Sequence, residues 1–125
     1  MRYLLLINKD EKKYDAMSDA QKKALEQRYL EWGMKAAKAG LMRGGAKLQH
    51  TPTATTVRVR EGKRLVTDGP FAETTEQVAG IAFMECDDLD QALEWAATHP
   101  DAEWASVEVR PVEFHGEGPP GKEKA

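Results

Sequence analysis

The sequence predicts an α+β fold, a ferredoxin-like βαββαβ sheet with an inserted β-hairpin, on three observations. Two strand–helix–strand units of similar length follow one another along the chain. Between them, two short alternating segments flank Glu61-Gly62-Lys63, the pattern of a hairpin with a Gly-containing loop. The runs 3–7 and 78–84 are apolar on both faces, as strands covered from two sides are, whereas the hairpin and the last strand alternate.

Tyr3 to Ile7 is an apolar run of strand length, ended by Asn8-Lys9-Asp10. The polar residues Glu11 to Met17 lead into a helix over 18–39, whose start is the capping-box pair Ser18 and Gln21. Leu25, Tyr29, Trp32, Ala36 and Ala39 lay one apolar stripe along it, and Gly40 ends it. Leu41 to His50 is weakly strand-like, loosened by Gly44-Gly45. Pro52 then precedes the strand Thr55 to Arg60, and Arg64 to Thr67 returns alongside it. Val78 to Cys86 is the third sheet strand. Asp88 with Gln91 caps a second helix with the stripe Leu89, Ala92, Leu93, Ala96 and Ala97, stopped at His99-Pro100. At that helix end the macrodipole favours cationic His99. Trp104 to Val112 alternates as the last strand. One domain spans 1–114, and the Gly-, Pro-, Lys- and Glu-rich residues 115–125 are expected to be a disordered tail.

Two helices cover only one sheet face, so Leu4, Leu6 and Phe83 or Met84 face away from them. A second subunit packed sheet to sheet is the economical cover, which predicts a homodimer with a pocket between the copies. A net charge of −3 with scattered basic residues argues against nucleic acid as a partner. No run approaches the roughly 20 apolar residues of a membrane span. Without a signal-peptide pattern the expected location is cytoplasmic. Cys86 is the single cysteine, so neither an internal disulfide nor a thiolate metal cage can form. The three histidines have no metal-site spacing, and no phosphate loop or dinucleotide fingerprint occurs, so neither metal nor cofactor is expected.

The densest collection of functional groups runs from Thr67 to Gln77. Asp68 suits two roles: a general acid or base if a cleft buries it, or an Asx turn former beside Gly69-Pro70. Glu73, Thr74 and Glu76 are candidates to line a pocket, with Phe71 as loop anchor or ligand-stacking ring. Arg58 and Glu108 share a face, where they form an ion pair or where Arg58 binds a substrate carboxylate. His50 is a candidate acid–base group from its ordinary titration range.

Val66-Thr67-Asp68-Gly69-Pro70-Phe71-Ala72-Glu73-Thr74, followed by Glu76-Gln77, resembles the signature of DGPF proteins in the YCII-related family. The start Arg2-Tyr3-Leu4-Leu5-Leu6-Ile7, Thr53 to Arg58, Asp88 to Leu93 and Val107 to Val112 are similar too. The resemblance implies a dimeric ferredoxin-like α/β barrel with a cleft near the subunit boundary. It implies kinship with lyase- or dehalogenase-like enzymes that use a His–Asp pair. Beside it, the residues of this chain suggest an enzyme without a cofactor acting on a small organic acid, with Asp68 as acid–base group and Arg58 as anion anchor. Its alternative is a ligand-binding or regulatory module serving an extracytoplasmic-function sigma factor. The chain departs from the pattern in several places. Helix 18–39 lacks the family's histidine and has Tyr29 in that region, Thr75 stands where lysine is usual, and Val78-Ala79-Gly80 replaces a Leu-Gly-Gly pattern.

Overall fold

The computed structural model describes residues 1–113; the tail expected at 115–125 lies outside them. The fold is α+β, with three α-helices and antiparallel sheets. Its elements are β1 (Arg2–Lys9), α1 (Glu11–Asp15), α2 (Asp19–Lys38), β2 (Met42–Lys47), β3 (Thr55–Arg60), β4 (Lys63–Asp68), β5 (Gln77–Glu85), α3 (Leu89–Thr98) and β6 (Ser106–Pro111). Short 3₁₀ turns occupy Thr51–Thr53 and Pro100–Glu103.

The main sheet has the order β2-β5-β1-β6, all pairs antiparallel. The two doubly apolar runs are therefore its central strands. Tyr3, Leu5, Ala82 and Met84 point to one face and meet Trp32 and Ala36 of α2 and Ala92 and Ala96 of α3, with Val107 and Val109 packed against this core. Alternation puts Leu4, Leu6, Ile81 and Phe83 on the opposite face, paired Leu4 with Phe83 and Leu6 with Ile81. Of the two residues weighed for that face, Phe83 lies there, while Met84 is fully buried beneath the helices. The sheet is open, ending at β2 and β6, and one chain does not close a barrel.

Local chemistry explains the helix starts. Ser18 Oγ accepts from the Gln21 N–H, and the Gln21 side chain accepts from the Ser18 N–H, satisfying two donors that the first turn leaves open. Asp88 caps α3 through the Gln91 N–H at 2.8 Å. The 11–17 stretch is more than a lead-in: Asp10 accepts from the Lys13 N–H and starts α1. The stripe expected on α3 is rotated. Ala92 and Ala96 are buried and Trp95 packs on the core, whereas Leu89 and Leu93 are each 46% exposed. Small alanines let this helix sit close to the sheet, which turns the leucines outward.

Strands β3 and β4 form a separate two-stranded sheet closed by Glu61-Gly62, both at positive φ, as a two-residue type I′ turn requires. Two irregularities shape the main sheet. In β5 the pairing with β1 skips Ala79, between Val78 and Gly80. In β2, Arg43 and Gly44 lie between the pairs Met42–Met84 and Gly45–Ala82, opposite Phe83 alone. Gly44 has φ +121°, and a Cβ on Gly45 would fall 2.6 Å from the Ile81 carbonyl oxygen. Glycine is required at 44 by backbone conformation and at 45 by space.

Candidate functional site

The paired stretches of β2 and β5 that run from one bulge to the other leave a floor of small residues, Gly45, Ala46, Ala79, Gly80 and Ala82, beneath α2. Larger side chains there would fill the gap between helix and sheet. Instead a pocket of about 320 Å³ opens, walled by Tyr29, Trp32 and Gly33 of α2 and by Ile7 and Met42. Lys9, Lys47, His99 and Asp101 complete it. An apolar body with few convergent polar groups is the usual make-up of a small-molecule site.

The polar groups form a network. Asp101, only 1% exposed, accepts at Oδ1 from Tyr29 Oη at 2.5 Å and from Trp104 Nε1 at 2.9 Å. Its own backbone N–H donates to His99 Nδ1 at 3.0 Å. His99 is buried, stacked on Tyr29 at 5.4 Å and edge-on to Trp32 at 4.9 Å. Glu26 bonds Lys47 Nζ and accepts from Tyr14 Oη at 3.1 Å. Lys9, at the end of β1 and 3% exposed, lies 4.0 Å from the Tyr14 ring centre and 5.6 Å from that of Tyr29. Among the described residues no carboxylate makes an ion pair or hydrogen bond with its ammonium.

Burial dominates the titration of these groups. It lowers the Lys9 pKa, against the opposing fields of Asp101 and Glu26. It raises that of Asp101, although bonds from Tyr29 and Trp104 pull the other way. Burial and then the Asp101 hydrogen bond push the Tyr29 phenol far up, so it stays a proton donor. Burial also disfavours ionised Glu26, but its bonds to Lys47 and Tyr14 hold it below the ordinary range. His99 falls to about 4 through burial and then the nearby Arg28 charge. The cation expected of His99 at a helix end is thus overturned: desolvation of a fully packed ring outweighs a helix-end field, and the imidazole is neutral.

The residues singled out in the sequence lie elsewhere. Asp68 is exposed at the end of β4, Gly69 follows at φ +98°, and the Gly69 N–H donates to the Ala54 carbonyl at 2.7 Å. Arg58 Nη2 donates to the Phe71 carbonyl at 3.0 Å, bracing the loop, while the Phe71 ring is 79% exposed. Arg58 and Glu108 are not paired; Glu108 takes Arg110, with contacts of 2.9 and 2.5 Å. Thr74 Oγ1 bonds the Glu76 carbonyl, and the Glu76 carboxylate accepts from Ser106 Oγ at 2.5 Å. Glu73 and Thr74 border a separate pocket of about 410 Å³ with Asp10, Lys12 and Gln77. His50 meets Asp15 at 3.6 Å and Tyr14 edge-on at 5.4 Å. Among the described residues no group of His, Cys, Asp or Glu could hold a metal ion, and no helix is long and apolar enough to cross a membrane.

Of the network, sequence reasoning identified only Tyr29, as a core residue, and His99, as a helix end. His99 and Asp101, from the other end of the chain, meet Tyr29 there, His99 by ring stacking and Asp101 by a hydrogen bond.

The model of the YCII-related domain matches residues 1–114. An uncharacterised protein of Rhizobium meliloti (strain 1021) is 33% identical over 120 residues, covering 94% of this chain and 97% of the relative. The chain belongs to the YCII-related family.

Proposed function

We propose that this YCII-related protein binds a small organic acid in the pocket beneath α2 and carries out cofactor-independent acid–base chemistry on it. One observation carries the reading: a buried ammonium without a carboxylate partner, Lys9, lines an apolar pocket together with the hydrogen-bonded Tyr29–Asp101 pair. A buried charge is costly unless compensated, and a ligand carboxylate beside Lys9 supplies the compensation. Tyr29 then presents a phenol held protonated, Asp101 receives its hydrogen bond, and neutral His99 packs the pair in place. The Asp101 carboxyl, whose pKa burial raises, is then the acid–base group for lyase- or dehalogenase-like steps.

The strand order is that of a ferredoxin-like sheet, and β3–β4 is the insertion between its second and third strands. We infer that a second copy covers the Leu4, Leu6, Ile81 and Phe83 face and completes a barrel. The exposed Val57, Val59 and Val66 of the hairpin supply further apolar surface for that contact. Asp68 and Arg58 contribute to a ligand site only if the partner encloses them.

A second reading has its own support. Asp101 Oδ1, His99 Nδ1 and Glu26 are already engaged by donors of the protein, which suits binding without turnover, as in a regulatory module working with an extracytoplasmic-function sigma factor. The test is a panel of 2-halo, 2-oxo and unsubstituted short carboxylic acids, followed by melting temperature and product analysis. A binding pocket requires at least one acid to raise the melting temperature of the parent and not of Lys9→Met. Product formation separates the enzyme from the module, and no shift with any acid rejects both.

A further inference from the structure

We propose that the pocket takes its acid as a monoanion together with one proton, which Asp101 holds at Oδ2, and that it rejects dianions. This rests on the small-acid reading above. Each charged group lining the pocket is committed except two; Lys22, over the Tyr14 ring, is not among the lining groups. Lys47 and Glu26 satisfy each other, and Tyr14 completes Glu26. Glu11 accepts the N–H and the hydroxyl of Thr51, at 3.0 and 2.5 Å. Arg28, behind His99, is held by both carboxylate oxygens of Glu103. That leaves Lys9, with ring faces for company, and Asp101, whose two side-chain donors both converge on Oδ1. Among the described residues Oδ2 receives no hydrogen bond.

Lys9 and Asp101 line the pocket without pairing, and their formal charges sum to zero. A carboxylate seated on Lys9 adds one negative charge to a site that has none to spare, beside a carboxylate already disfavoured by burial. Protonating Asp101 at Oδ2 restores the balance and turns its open oxygen into a donor toward the ligand, giving a short charge-assisted O–H···O⁻ bond. Tyr29 and Trp104 stay on Oδ1, so nothing else need move. A dianion would require a second cation, and Lys47 is already held by Glu26.

Calorimetric titration of the full chain with propionate and benzoate, and with succinate and phthalate as dianionic counterparts, tests this. For the monoanions, the apparent enthalpy should change between buffers of different ionisation enthalpy, reporting net proton uptake. Their Kd should rise with pH, approaching about tenfold per pH unit, over roughly pH 6 to 8, where the acids themselves are fully ionised. Succinate and phthalate should bind at least about tenfold more weakly than propionate and benzoate. Asp101→Asn, which keeps a donor at that position, should bind the monoanions with the pH dependence removed. A Kd independent of pH in the parent overturns the proposal while leaving the small-acid reading intact. So does a dependence that survives in Asp101→Asn, since the proton then sits on a group other than Asp101. Should Asp101→Asn fail to fold, the parent's buffer dependence and the dianion comparison decide. No binding by either monoanion overturns the small-acid reading and this proposal with it.

Discussion

The pocket beneath α2 and the segment from Asp68 to Glu76 hold similar kinds of residue, carboxylates, hydroxyls and aromatic rings, in opposite physical circumstances. In the segment the groups are adjacent in sequence, lie in water and bond mostly to their own loop: Thr74 to Glu76, Gln77 to Thr74 and Arg58 to Phe71. In the pocket they come from β1, α2, β2 and a 3₁₀ turn more than ninety residues from β1; Lys9, His99 and Asp101 are buried, Tyr29 and Glu26 half-buried, and Lys47 lies exposed at the rim. Water screens and satisfies the first set. Desolvation forces the second set to shift its titration and seek partners. Density along the chain is therefore a weaker guide to chemistry than density in space.

The largest contrast should appear on truncation. Trp32→Ala removes a ring that donates to the Trp95 carbonyl and Thr98 hydroxyl and walls the pocket, and should cost about 3–5 kcal/mol. Phe71→Ala should stay within about 0.5 kcal/mol for the isolated chain. Denaturant melts of both measure the difference, and comparable losses would erase it. The next effect is on pH. The folded pKa of His99, about 4, lies below its ordinary value of 6.5, so its contribution is complete above that value and fades as pH falls through this window. The loss reaches roughly 3 kcal/mol at the acid end, offset in part by Asp101, whose raised pKa acts in the opposite direction. A series of melts across the window should show that loss, flattened in His99→Gln. A smaller effect follows from Gly45→Ala, where the added methyl meets the Ile81 carbonyl: about 1–3 kcal/mol, with the pocket floor displaced. The smallest is Arg58→Ala, which removes one exposed hydrogen bond and should cost about 0.5 kcal/mol or less.

The elements were legible because local rules govern them. The capping pairs Ser18–Gln21 and Asp88–Gln91, the two-sided apolar runs and the Glu61-Gly62 turn each name a structure within a few residues. Helix α1 escaped because it is one turn started by Asp10, with no room for a periodic stripe. The rotation of α3 escaped because alanine and leucine count equally as apolar, whereas close approach to the sheet selects the small one. The pocket was illegible for a different reason. Gly44-Gly45 and Ala79-Gly80 read as interruptions of strands, and only the pairing of β2 with β5 shows that they bound one floor of small residues. Lys9 reads as a strand end in water until α1 and α2 close over it, and His99 reads as a cap until Tyr29 and Trp32 pack against it.

The most direct test sets the two regions against each other with one ligand. Titrating benzoate into Lys9→Met and into Asp68→Asn, each confirmed folded, and comparing Kd with the parent asks which region holds the acid. Lys9→Met should weaken binding by at least about tenfold, with Asp68→Asn within about twofold of the parent. The reverse order, binding lost with Asp68 and kept without Lys9, would contradict the account.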